Sequence, residues 1–264
     1  MKRRTVGIFG VGAIGGSIAL RARSDGATVI GYDCDAAALE EARTLGAIDA
    51  VAKAEDLARD VDVLVIAAHL EPTLKEIERL VIAPGTRAGL IVDVASVKVP
   101  VVRGASGLRN FVATHPMAGT EQSGVGAARA DLFEDRPWVF VPSGDEELEE
   151  RARGFIESMG AVALAISAEE HDRAVAVTSH LPQIVASCYA TLLRADDDAQ
   201  RLCGPVAREL LRISGMRLGM WRDILRANAA NIEPHLRRLA AELETAAAAL
   251  ARDDVESLAA LFTD

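Results

Sequence analysis

Four short segments concentrate polar side chains that a plain globular fold does not need. His115-Pro116-Met117-Ala118-Gly119-Thr120-Glu121 sets an imidazole after an apolar stretch and just before a stiff, glycine-containing loop. Histidine is the usual side chain for moving a proton near neutral pH; a satisfied core or surface histidine is the plain alternative. Ser179-His180-Leu181-Pro182-Gln183 puts a second imidazole and a proline inside an apolar helical stretch. Proline interrupts the hydrogen-bond ladder there, and a kinked helix can aim the histidine at a cleft. In Ala95-Ser96-Val97-Lys98, Ser96 either meets a ligand or caps a helix. Arg208-Glu209-Leu210-Leu211-Arg212 places two guanidiniums one turn apart. Such a pair can bind a carboxylate, although a solvated helix face paired with Glu209 is common.

A fifth segment reads as a nucleotide turn. Gly10, Gly12 and Gly15 spell G-x-G-x-x-G directly after an apolar run and at the start of a helical pattern. The first glycine permits a tight turn, the second lets the backbone approach a pyrophosphate, and the third lets helix pack on strand. The first helical turn, with Ala13 and Ile14, offers N–H groups and a positive dipole end to phosphates. Asp33 follows about 20 residues beyond the motif, where an acid can accept from both ribose hydroxyls. Its charge repels a 2'-phosphate, and Cys34 and Asp35 rather than an arginine follow it, so NAD is expected over NADP.

The elements that must position these groups alternate. Apolar runs at Thr5 to Phe9, Ala27 to Tyr32, Val61 to Ala67, Leu90 to Val94 and Phe111 to Thr114 read as strands. Helical patterns lie between most of them, at Ser17 to Arg23, Ala36 to Leu45 and Leu74 to Leu80. Such alternation predicts an α/β fold with an N-terminal Rossmann doubly wound parallel sheet. Open parallel sheets bind ligands outside the carboxyl ends of their strands, which suits Ser96. Trp138 to Val141 and Val162 to Ile166 read as further strands flanking a helix at Glu147 to Met159. From Ala168 onward only helices are expected: Glu169 to Leu193, Ala199 to Ser214, and from Met220, with a long Ala/Leu segment over Asn231 to Phe262. The expected division is 1–167 as the NAD-binding domain and 168–264 as an all-helical domain for substrate binding and dimerisation.

Composition narrows the classes further. Hydrophobic residues make up 50% of the 264 and charged ones 26%, enough for well-packed cores. A net charge of -10 argues against nucleic-acid or membrane-surface partners, which need a basic face. Cys34, Cys188 and Cys203 are widely spaced and odd in number; they imply neither a disulfide framework nor a metal site, and a reducing cytoplasm fits them. No apolar run reaches membrane-spanning length. The basic, then apolar N-terminus carries no cleavage signature.

Taken in order, GVGAIGGS, GYD, ASVK, THPMAGTEQSG, SHLPQ and WRDILRAN resemble the prephenate/arogenate dehydrogenase family of tyrosine biosynthesis. The resemblance covers nearly the whole chain, and THPMAGTEQSG followed by SHLP is its most specific part. It implies NAD-dependent oxidative decarboxylation of a cyclohexadiene carboxylate, with hydride leaving ring C4 and the ring becoming aromatic. By motif position, His115 bonds the C4 hydroxyl and accepts its proton, and Ser96 assists there or orients His115. His180 contacts substrate or cofactor, Arg212 grips a substrate carboxylate, and Thr120 and Glu121 line the entrance. This chain departs from the family near the substrate side chain. Ala207 precedes Arg208 where phenylalanine is common, Glu209 replaces an aspartate, Leu211 a threonine, and Gln183 a histidine. Prephenate, arogenate and a 4-amino-4-deoxy analogue therefore all stay open as substrates. An NAD(P)-dependent reductase of a small hydroxy acid or imine, and a noncatalytic NAD-sensing scaffold, are the alternatives on the same cofactor turn. No appended regulatory or mutase domain is expected after the last helix, and its apolar spacing predicts a homodimer.

Overall fold

The computed structural model describes residues 3–59, 61–83, 86–119, 122–215 and 218–262. Six apolar segments form one sheet: β1 (Thr5–Phe9), β2 (Thr28–Tyr32), β3 (Ala50–Val51), β4 (Val63–Ile66), β5 (Leu90–Asp93) and β6 (Phe111–Val112). Their order is β3-β2-β1-β4-β5-β6 and every pairing is parallel. The order reverses between β1 and β4, the switch point at which doubly wound sheets bind ligands. The crossovers contain α1 (Ala13–Ser24), α2 (Ala36–Thr44), α3 (Ala54–Leu57), α4 (Leu70–Ile82) and α5 (Val99–Gly104).

β4 and β5 are buried at every residue, as a sheet covered on both faces requires. Alternate side chains feed two cores. Val6, Ile8, Val63, Val65 and Val92 join Ile18 of α1 on one face. Leu64, Ile66 and Ile91 join Ile77 and Leu80 of α4 on the other.

The strand expected at Phe111 to Thr114 is split. β6 stops at Val112, and Thr114 opens β7 (Thr114–Pro116) in a second sheet with β8 (Pro137–Phe140) and β9 (Val162–Ala165), with α6 (Glu146–Ser158) between the last two. β7 runs antiparallel to β8, with His115 opposite Val139. His115 is therefore a strand residue, not the residue just after a strand. The cause is Asp93: its side chain takes the Thr114 N–H, and its carbonyl takes the Thr114 hydroxyl, so the chain leaves the first sheet there.

The remainder is helical. α7 (Ala168–Val175) runs through a π turn (Ala176–His180) into α8 (Leu181–Arg194). Pro182 sits in the first turn of α8 and supplies no N–H to the ladder, and the wider turn accommodates it. The helix expected over Ala199 to Ser214 is two, α9 (Asp197–Arg201) and α10 (Pro205–Ser214), broken at Gly204 with Pro205 opening the second. α11 (Leu218–Ala227) and α12 (Ala229–Ala251) follow, and the expected long terminal helix ends at Ala251 before a 3-10 turn, Glu256–Leu261. Residues through Asp172 make one compact unit together with α11, whose Ile224 and Trp221 join its core. Arg173–Gly215 and the chain from Asn228 make the other. Among the described residues no helix is long and apolar enough to cross a membrane.

Candidate active site

The glycine turn lies at the carboxyl end of β1. Gly10 has φ +95°, and a Cβ there would stand 2.4 Å from the Ala67 carbonyl oxygen; one on Gly15 would stand 1.9 Å from that of Gly10. Both glycines are required by the chain itself. Gly12 differs. It is the N-cap of α1, no side chain caps that helix, and a Cβ on Gly12 would meet no atom within 4 Å. The space beside Gly12 and the N–H groups of the turn at Ala13 and Ile14 fit a pyrophosphate. Asp33, half-buried at the end of β2, accepts the Val11 N–H at 2.9 Å through one oxygen and the Asp35 N–H at 3.0 Å through the other. Its remaining lone pairs can accept ribose hydroxyls.

Two strands along the same carboxyl edge, β5 ends in a buried charge. The Lys98 ammonium, without solvent exposure, donates to Asp93 Oδ2 at 2.5 Å and to the Thr114 carbonyl at 2.6 Å. Asp93 also accepts the N–H groups of Ala95 and Thr114, and the Trp138 indole donates to the Thr114 hydroxyl at 3.0 Å. Burial holds the Lys98 ammonium below its ordinary value, outweighing the pull of Asp93 and Asp172. Ser96 lies half-buried in the bend between Asp93 and Lys98. The N-cap of α5 is Lys98 rather than Ser96. The cap itself comes from α7: Asp172 accepts the N–H groups of Lys98 at 2.7 Å and Val99 at 2.9 Å.

Asp172 leads to the imidazole on β7. Its Oδ1 lies 2.8 Å from His171 Nδ1, and His171 Nε2 lies 2.9 Å from His115 Nδ1, with the two rings edge-on at 76°. His171 and Asp172 are buried and His115 half-buried. Burial pushes the Asp172 carboxyl up, but hydrogen bonds from His171, Lys98 and Val99 outweigh it and hold the carboxyl below the usual value.

The second unit carries the other expected positions. His180 closes the π turn, buried, with its Nδ1 3.1 Å from Asn228 Nδ2; Asn228 in turn accepts from Asn231 at 2.7 Å. Gln183, also buried, reaches Ser187 one turn on. On α10, Arg212 forms a two-pronged pair with Glu209, whose carboxyl it lowers, and Arg208 is exposed. Thr120 and Glu121 lie outside the described residues.

Sequence reasoning passed over Asp93, Lys98, His171, Asp172 and Asn228. One signal was available for the first: an acid ending a strand of Leu, Ile and Val. Lys98 lies in ASVK, where nothing local marks it as buried, and His171-Asp172 lie in AEEHDRAV, which reads as a solvated helix face.

Residues 17–165 match the family described as prephenate dehydrogenase, nucleotide-binding domain, and residues 167–264 match prephenate dehydrogenase, dimerization domain. The chain belongs to the prephenate dehydrogenase family. A relative named probable prephenate dehydrogenase NovF, from Streptomyces niveus, is 36% identical over 248 residues, which cover 91% of this chain and 67% of the relative. Against other curated relatives the matches span between 49% and 66% of their length. The crystal structure of prephenate dehydrogenase from A. aeolicus in complex with hydroxyphenyl propionate and NAD+ is similar over 99% of this chain and 96% of its own. The TM-score is 0.86 at 27% identity. Synechocystis arogenate dehydrogenase is similar over 97% of this chain and 95% of its own, with a TM-score of 0.78 at 25% identity.

Two outcomes follow for this prephenate dehydrogenase family member. Gly12→Ala keeps the melting temperature of the wild type but weakens NAD binding in calorimetry; unchanged NAD affinity would mean that nothing approaches Gly12. Lys98→Met strands a buried carboxylate and lowers stability by about 3–5 kcal/mol in urea denaturation. Adding Asp93→Asn removes the stranded charge while keeping an acceptor, so the two losses are less than additive in a double-mutant cycle; fully additive losses would contradict the pairing.

Proposed function

We propose that this chain is an NAD-dependent dehydrogenase that oxidatively decarboxylates prephenate to 4-hydroxyphenylpyruvate, or arogenate to tyrosine. The observation that carries the reading is His115: an imidazole anchored through Nδ1 to buried His171, on the strand that Asp93 and Lys98 fasten beside the carboxyl end of the parallel sheet. NAD bound there would supply the acceptor for the hydride from ring C4. The turn at Gly10 to Gly15 would hold its pyrophosphate, and Asp33 would hold its ribose and disfavour a 2'-phosphate.

The chain's own task is to bind, orient and move one proton. His115 accepts the C4 hydroxyl proton as the C–H electrons depart, so that C4 becomes carbonyl-like. The bond from C1 to its carboxylate then breaks; its electrons enter the ring, carbon dioxide leaves, and the new phenolic oxygen recovers a proton from His115. No net proton is taken from water. Aromatisation supplies much of the driving force, so positioning is the main demand on the protein.

Ser96 is assigned to the same hydroxyl or to His115. His180 and Gln183 are assigned to the substrate, with Thr120 and Glu121 at the entrance. Arg212, with Arg208 beside it, is assigned to a substrate carboxylate, which must displace Glu209 from it. The second unit is also assigned to a homodimer: Leu192, Leu202, Val206, Leu243 and Leu250 are exposed apolar residues on it, and the dimerization-domain match covers them. Free cysteines, two of them exposed, suit a reducing cytoplasm.

Purified protein with NAD and prephenate is expected to give NADH and carbon dioxide in equal amounts, with arogenate run in parallel. His115→Asn lowers kcat by roughly 10²–10⁴-fold while NAD affinity holds. Absence of NADH with both substrates, or full turnover in His115→Asn, would overturn the reading.

A further inference from the structure

We infer that Asp172 and His171 are positioning residues that set the tautomer of His115, so that its basic lone pair falls on Nε2. This inference rests on the reading of His115 as proton acceptor, but its first test does not use the reaction. Asp172 Oδ1 can only accept, so His171 must carry a proton on Nδ1 at 2.8 Å. A neutral His171 then has its lone pair on Nε2. The nitrogen facing it at 2.9 Å, His115 Nδ1, must be the donor. A neutral imidazole bears one N–H, so the lone pair of His115 is on Nε2.

Burial makes this arrangement firm. His171 and Asp172 are each 2% exposed, and a broken hydrogen bond at such a place leaves an unsatisfied polar group. Asp172 cannot swing away, because it also accepts from the N–H groups of Lys98 and Val99 at the head of α5. The chain of contacts does two things for the proton transfer. It holds the ring of His115 in one orientation. It also places a negative charge one imidazole away from the positive charge that forms when His115 takes the C4 hydroxyl proton. The proton stays on His115 until the phenolic oxygen reclaims it; no proton need travel to Asp172. The charged groups that the described residues bring to this chain of contacts include Asp172 beside His171 on α7, Lys98 before α5, and Asp93 at the end of β5. The last two neutralise each other.

The direct test is proton–nitrogen correlation NMR of the full chain, labelled in its histidine ring nitrogens, without substrate. The chain has five histidines, and the signals of His115 are those missing from His115→Asn. The expected result is a protonated Nδ1 and an unprotonated Nε2; the reverse overturns the inference. The second arm is His171→Asn, which leaves the cap on α5 in place. Its kcat is expected to fall by about 10-fold or more, the scale of losing an orienting partner, with NAD affinity and KM close to wild type. The acid limb of its kcat–pH profile moves to lower pH, because an imidazole without carboxylate support is less basic. An unchanged profile at unchanged kcat overturns the inference. If wild type turns over neither prephenate nor arogenate, the functional reading falls while the NMR result still decides the tautomer. If it turns them over with the other tautomer, only the positioning claim falls.

Discussion

A lysine ammonium with no access to water is held between one carboxylate and one peptide carbonyl. That contact, Lys98 to Asp93 and to Thr114, is the constraint on which the candidate site depends. A lone charge in this place would be prohibitive, and the pair is tolerable only because the remaining lone pairs of Asp93 are taken by the N–H groups of Ala95 and Thr114. The same bonds join the end of β5, the head of α5 and the start of β7. They also decide where β6 stops, since Thr114 spends its N–H on a side chain rather than on the parallel ladder. His115 is the next residue.

From that junction the geometry runs outward in both directions. Lys98 and Val99 give their N–H groups to Asp172, which stiffens the entry of α5 and draws α7 against it. Asp172 holds His171, and His171 holds His115. Across the sheet, at the same carboxyl edge, the glycine turn is tied to β2 by Asp33, which accepts the Val11 N–H. The nucleotide turn and the proposed proton acceptor, His115, thereby belong to one compact unit, and in the proposed reaction positioning is the main demand on it.

The parts legible in the sequence are those whose physics is local. Gly10, Gly12, Gly15 and Asp33 are fixed by spacing along one βαβ segment. The buried runs of β1, β2, β4 and β5 stand out by composition, and the Arg212–Glu209 pair is an i,i+3 contact on one helix. What stayed hidden is long-range. Lys98 and Asp172 are 74 residues apart, and His115 and His171 are 56 apart. Charged residues in a helical run ordinarily face water, so nothing in AEEHDRAV marks two of them as buried. The place of His115 inside a strand was hidden for the same reason, because it follows from a bond between Thr114 and a side chain on another strand. The helix break at Gly204 and Pro205 carries a local signal, since that pair punctuates a helix, whereas the break at Asn228 is blurred by the good helix formers on either side.

The most direct measurement is a crystal structure of the chain with NAD and a 4-hydroxyphenyl product analogue. The account expects His115 Nε2 within hydrogen-bond reach of the phenolic oxygen, about 2.6–3.2 Å, with Nδ1 still on His171 and Lys98 still on Asp93. A ligand seated with its phenolic oxygen away from His115, or an imidazole that has turned Nδ1 toward it and released His171, would contradict the account.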